Sequence, residues 1–328
     1  MVSKTHAIFL LFLFSTGNLH ANQLNASKMD DKSLSDTAEK NQSQYRRNLD
    51  FLYSYTDFKF NSTTGASFNR FNGFANQYGL GGRQYFISNR LLTGLYVYRI
   101  DTKVNSQLLL SPNPLSYTNQ EIKNHTVLGY VNKFFNSNFS MGLAGAYGYN
   151  DLNNQLITSP GTSDQQIASA RTNNYNWFTT LSAAYYKPVK HFLLQAGARL
   201  LYSEVHTRSY AYRIQNMPLS LPVERLTNRL LWVMEDAELD YTANEHVKPF
   251  VTGGLIQVAK NRNSRALITS PVVGSLPQLS ITKNGYRVGG GIMLKHNKWS
   301  LRLEHKYYNA SNLYVSNQTL LSISYAMS

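Results

Sequence analysis

The sequence predicts an all-β protein: a transmembrane antiparallel up-and-down β-barrel of about 12 strands. Three observations predict it. Apolar residues alternate with small or polar ones at period two from Asn48 to the C-terminus. The apolar faces are bracketed by aromatic residues. The links between strands alternate between short and long.

The opening residues read as an address. Lys4 and His6 make a short basic start, residues 7–14 (AIFLLFLF) an apolar run, and Leu19-His20-Ala21 a cleavage site. That run is far shorter than the roughly 20 apolar residues of a helical span. Residues 1–21 are therefore assigned as a secretory signal peptide. No later stretch of the 328 residues reaches the length of a helical span either. The chain has no Cys, which excludes disulfides, thiolate metal sites and a Cys nucleophile. It is also compatible with an oxidising periplasm. Residues 22–48 are polar, with Tyr45 as the one aromatic, and carry no stripe wide enough for a core-facing helix. They read as a tail, linker or lumen plug, and residues 49–328 as the barrel.

Strands are expected at 49–60, 74–87, 90–108, 118–134, 139–156, 171–187, 191–213, 224–241, 248–266, 282–295, 298–308 and 314–327. The stretch FSMGLAGAYGYN shows why. Phe139, Met141, Leu143, Gly145, Tyr147 and Tyr149 share one face, and Ser140, Gly142, Ala144, Ala146, Gly148 and Asn150 the other. Residues 299–308 and 192–203 alternate in the same way, which fits a sheet between two environments. A soluble sandwich also alternates, so the aromatic brackets matter. Phe139 with Tyr147, Trp177 with Tyr185, Phe192 with Tyr202 and Trp299 with Tyr307 each enclose an apolar face. Eight to ten tilted residues rise roughly 20–25 Å, the height of a lipid-facing band between aromatic girdles.

The links after even-numbered strands are short, as at Ser88-Asn89, Asn136-Ser137, Pro188-Val189, around Asn244 and at Asn297. Most of the others are longer. This rhythm distinguishes periplasmic turns from extracellular loops, and an even strand number leaves both barrel ends periplasmic. Several long links share apolar tips with Ser and Pro: residues 108–116, 156–161, 218–222 and 267–280. Such tips either pack on one another or meet a surface ligand.

The formal net charge is +14, and it falls by one when Lys4 leaves with the signal peptide. For an exported chain this charge points either to lipopolysaccharide phosphate at the cell surface, rather than nucleic acid, or simply to a polar lumen and loops rich in Lys and Arg. Outer-membrane lipid and lipopolysaccharide are the expected partners. Inside the barrel, Arg83, Arg99, Arg199, Arg287 and Arg302 are assigned to the lumen. The strand MEDAELDY adds Asp236, Glu238 and Asp240 on one face, with Glu235 on the lipid side. Paired carboxylates can activate water, but acids opposite arginines normally fill a polar interior as ion pairs.

Ser203 and His206 are odd-spaced and point to opposite faces, against a Ser–His pair. His305 falls on the lipid face, and the other histidines have no metal-like spacing. The glycine clusters at 79–82 and 289–291 lie within strands and precede no helix, so they are not phosphate loops. They read as relief of crowding or as lumen space. No catalytic, cofactor or metal site is assigned.

The stretch MEDAELDYTANEHVKPFVTGGLIQV at 234–258, the segment YRVGGGIML and the closing LLSISYAMS resemble the autotransporter β-domain. This is the twelve-stranded translocator of type V secreted proteins, and the resemblance covers about residues 49–328. Tyr325 fits the family's closing pattern, with Met327 in the place of the terminal aromatic and Ser328 beyond it. The resemblance implies outer-membrane location, insertion by the barrel assembly machinery, and a helix through the lumen, for which residues 27–46 are the candidates. Only residues 22–48 stand where members carry a long passenger. The expected function is thus a passenger-less, non-enzymatic surface structural or interaction protein acting through its loops. A narrow anion-favouring channel is the alternative, and a barrel hydrolase a further one.

Overall fold

The computed structural model describes residues 45–109, 115–263, 283–311 and 313–327. All regular structure there is strand. The strands are β1 (Tyr45–Thr64), β2 (Ser67–Phe86), β3 (Leu91–Leu109), β4 (Ser116–Phe134), β5 (Phe139–Thr158), β6 (Gln166–Val189) and β7 (Phe192–Thr207). There follow β8 (Tyr210–Ile214), β9 (Ser220–Val223), β10 (Leu226–Tyr241), β11 (Val247–Asn263), β12 (Gly285–His296), β13 (Trp299–Ala310) and β14 (Tyr314–Met327). Twelve of them form a closed antiparallel barrel, and β8 with β9 makes a hairpin beside β6. β1 closes the ring on β14, from Arg47↔Met327 to Phe60↔Tyr314.

The wall is inside-out relative to a soluble sheet. On β5, Leu143 is 54% and Tyr147 58% exposed, whereas Ser140 between their neighbours is 1% exposed. Leu80, Leu95, Val97, Leu181, Val251 and Leu303 continue this exposed apolar band around the ring. Water would penalise such a surface, and acyl chains do not. Rings mark its edges. Trp177 lies 5.3 Å from Tyr202 at one level, and Trp299 4.8 Å from Tyr325 at the other.

The expected strands need several corrections. The link placed at 61–73 does not exist as a loop, because β1 and β2 pair continuously to Thr64↔Ser67 around Gly65 (φ 59°). Asn, Ser and Thr are abundant there and resemble a loop in composition, yet they alternate buried and exposed as a strand does. β5 and β6 also run on, to Thr158↔Gln166. Their hairpin stands roughly 25 Å above the Tyr147 level at ordinary rise and tilt. The expected strand 191–213 splits into β7 and β8 at Arg208-Ser209, and residues 218–222 fall largely in β9. The β13–β14 link is as short as a periplasmic turn, although it lies on the opposite rim. β1 begins at Tyr45, inside the segment assigned to the polar tail. Residues 22–44, 110–114 and the 267–280 tip lie outside the described residues.

The interior is only partly polar. A large cluster includes Leu52, Phe58, Phe60, Phe71, Tyr96, Tyr98, Trp232 and Tyr314. The glycines make room for it. A Cβ on Gly81 would lie 2.2 Å from the Tyr96 ring, and one on Gly79 2.5 Å from the Tyr98 ring. Tyrosines of β3 thus lie flat over the glycine run of β2, an aromatic cover of a bare sheet segment. A satellite cluster of Leu156, Ala168, Ala170, Tyr212, Val223 and Leu226 anchors the β8–β9 hairpin to the upper wall.

Candidate functional site: the charged lumen wall

Pleat parity decides where each assigned charge goes. Asp236, Glu238 and Asp240 alternate with Glu235, Ala237 and Leu239 on β10, and the three acids point inward. Arg83, Arg199, Arg287 and Arg302 are buried on the lumen side as well. Arg99 is not. It stands on the outer face between Tyr98 and Ile100, both 4% exposed, and bonds Asp101 at 3.2 Å. The correction has a physical cause. The rings of Tyr96 and Tyr98 are required inside to cover Gly81 and Gly79, so parity turns Arg99 out.

The inward charges form a connected network. Arg302 on β13 makes two parallel bonds to Glu238 on β10, Nη1 to Oε1 at 3.1 Å and Nη2 to Oε2 at 2.7 Å. Its guanidinium also lies 3.7 Å from the centre of the Phe250 ring on β11. A flat cation suits both partners at once, through a bidentate fork and a ring face. Glu304, two residues along β13, sits 3.5 Å from Arg302 Nε and 2.7 Å from Lys306 Nζ. Arg287 on β12 bonds Asp236, and Gln195 on β7 donates to Asp240 at 2.6 Å. Arg199, Arg287, Lys306, Asp236 and Glu238 line a cavity of about 110 Å³, faced by Tyr130 and Tyr186.

A second knot lies at the closing seam. Asp50 of β1 accepts from Tyr96 Oη at 2.5 Å and from Ser324 of β14, with Arg83 Nε 3.4 Å away. Asp50, Glu304 and Lys306 were not singled out in the sequence. Their period-two placement opposite exposed Leu49, Phe51, Leu303 and His305 was the available signal. Glu204 is different. It points outward yet is only 6% exposed, held by Arg229 at 3.0 Å, His206 at 2.8 Å and Tyr202 Oη at 3.2 Å. Ser203 beside it points into the barrel, so Ser203 and His206 are on opposite faces. Among the described residues no three His, Asp or Glu side chains converge to hold a metal ion.

This arrangement neutralises charge within the wall and stiffens it. The profile of the Autotransporter beta-domain family matches residues 51–305. The solved translocator domain of autotransporter NalP from Neisseria meningitidis superposes with a TM-score of 0.62 at 14% identity, covering 95% of this chain and 97% of that one. The β domain of the Bordetella autotransporter BrkA gives 0.53 at 13% identity, covering 84% and 98%. The transport unit of AIDA-I from Escherichia coli gives 0.52 at 11%, covering 93% and 97%. No curated protein sequence matches the chain. The structural likenesses show the fold, and the profile match over most of the chain shows the family and its place in the outer membrane. The inside-out wall, its closure of β1 on β14 and that match make this chain a member of the autotransporter β-domain family.

Proposed function

We propose that this outer-membrane barrel works through its extracellular rim, as a surface structural or interaction protein that needs no secreted passenger. The β8–β9 hairpin carries the reading. Met217, Leu219 and Leu221 at its end are 45%, 62% and 43% exposed, well above the lipid band. Apolar side chains displayed to water on a supported hairpin favour contact with another surface. The satellite cluster beneath them, with Tyr212 1% exposed, supplies that support.

Replacing Met217, Leu219 and Leu221 together with Ser tests the reading. Cells bearing the variant should lose adhesion to one another and to protein-coated surfaces, while the extracted barrel keeps its heat-resistant electrophoretic form. Undiminished adhesion of a folded variant would remove the reading. The narrow-channel alternative is supported by Arg199, Arg287 and Lys306 lining the lumen cavity. It is weakened by Asp236 and Glu238 in the same cavity, which offset the field an anion would feel. Electrical silence of the purified barrel in planar bilayers would dispose of the channel.

A further inference from the structure

The upper wall has an opening that neither the lumen network nor the hairpin tip uses. β7 leaves β6 at Asn174↔Thr207, and β8 rejoins it at Ser169↔Arg213. Between those pairs the ladder is interrupted, and residues 208–209 cross as irregular backbone. A cavity of about 1000 Å³ lies there, lined by Arg171, Arg208, Arg213, Tyr210, Asn153 and Glu121 among others.

The register explains why the arginines meet. Arg213 faces Ser169 across the ladder, and Arg171 is the next residue on that face of β6. Diagonal neighbours of this kind lie roughly 7–8 Å apart. Arg208 enters from the crossing segment. All three are exposed, and none has an ion pair among the described residues. Neither neighbouring acid neutralises them: Glu121 pairs with Lys103 at 3.3 Å, and Asp151, diagonal to Arg171 on β5, forms no ion pair with it. Like charges brought together without an acid paired to any of them repel one another, and an anion relieves that repulsion. Asn153, directly opposite Arg171 on β5, adds an amide suited to hydroxyl groups.

Height identifies the anion. Arg171 is six residues along β6 from Trp177, hence roughly 15 Å above the aromatic level. Acyl chains end below that height, and the sugars of the outer leaflet occupy it. We propose that this cavity binds the phosphorylated core sugars of lipopolysaccharide, the guanidinium groups taking the phosphate and Asn153 and Tyr210 the sugar.

The full barrel in detergent would be titrated with purified lipopolysaccharide carrying a phosphorylated core. The same lipopolysaccharide after dephosphorylation, lipid A without core, and inorganic phosphate would be titrated in parallel. The triple variant R171A/R208A/R213A should bind the phosphorylated form at least tenfold more weakly, and dephosphorylation should weaken binding to the unaltered barrel comparably. A control variant, K59A/R70A/K123A, removes the same charge from the exposed upper wall and should stay within twofold. Equal losses in the two variants would reduce the effect to general charge and overturn the site. Equal binding of core-less lipid A, or inorganic phosphate binding as tightly as the glycolipid, would overturn the assignment to core sugars. If the triple variant does not fold, R208A alone should weaken binding three- to fivefold, because Arg208 lies outside every ladder. Unchanged binding by a folded R208A would then overturn the proposal.

Discussion

Arg302 and Glu238 meet through two parallel bonds of 3.1 and 2.7 Å although two strands stand between them in the wall. The bridge is a chord across the curve from β10 to β13, and Phe250 of β11 lies beneath its guanidinium. Glu238→Ala leaves that cation buried, with Glu304 still 3.5 Å away. The expected loss is about 3 kcal/mol, at the low end for a broken buried pair because Glu304 remains. Urea unfolding in lipid vesicles measures it. The double variant Glu238→Leu with Arg302→Met should regain most of the loss. A midpoint for Glu238→Ala equal to that of the unaltered barrel would show the chord to be dispensable.

The closing seam depends on Asp50. Its carboxylate joins β1 to Ser324 of β14, to Arg83 of β2 and to Tyr96 of β3. Asp50→Ala should destabilise the barrel by about 3 kcal/mol, since it removes the carboxylate beside the buried Arg83 guanidinium. Tyr96→Phe should cost about 2 kcal/mol, the net contribution of one hydrogen bond to a charged group. The ordering is the test. Proteolysis of the Asp50→Ala barrel should begin in β1 or β14, and cleavage elsewhere first would contradict the seam role.

Two glycines give a sharper contrast. A Cβ on Gly291 would lie 2.0 Å from the Leu303 carbonyl oxygen and 2.6 Å from the Phe250 ring. On Gly145 the nearest atom is 3.7 Å away. Gly291→Ala should push Phe250 from beneath Arg302 and lower the yield of folded barrel severalfold. Gly145→Ala faces lipid with room to spare and should fold as the unaltered chain does. Equal yields for the two would show that the wall yields at Gly291.

Arg99 separates lumen effects from surface effects. Its side chain is 53% exposed on the outer face, paired with Asp101. If the barrel conducts at all, Arg99→Ala should leave the reversal potential in a salt gradient unchanged, whereas Arg199→Ala should shift it toward cations. A shift on altering Arg99 would mean that the pleat assignment of β3 is inverted.

How far these features were legible follows from residue types. On β5, lipid-facing Leu143 and Tyr147 alternate with Ser140 and Gly148, so one face is apolar and the other small, and parity is unambiguous. On β3 both faces are apolar. Leu95 and Val97 meet lipid while Tyr96, Tyr98 and Ile100 pack inside, so hydropathy cannot choose and Arg99 was misplaced. The partner of those tyrosines, the glycine run of β2, is visible only once the β2–β3 register is known. The acids of β10 were readable from their spacing, but not that Arg302 would reach past two strands to Glu238. Glu204 was hidden for a related reason. Its outward place suggests lipid or water, and only the neighbouring strands reveal Arg229 and His206 around it.

The pairing of β1 with β14 has a further consequence for how the chain may be cut. Arg47 and Met327 are direct partners, so the first and last described strands start and finish at the same rim. Order around the ring is therefore independent of where the polypeptide is opened. A short linker from Met327 to Tyr45, with new ends in the Ser159–Gln165 turn, would keep every ladder of the twelve-stranded wall. Such a permuted barrel should assemble with the same stability but a different strand order in time.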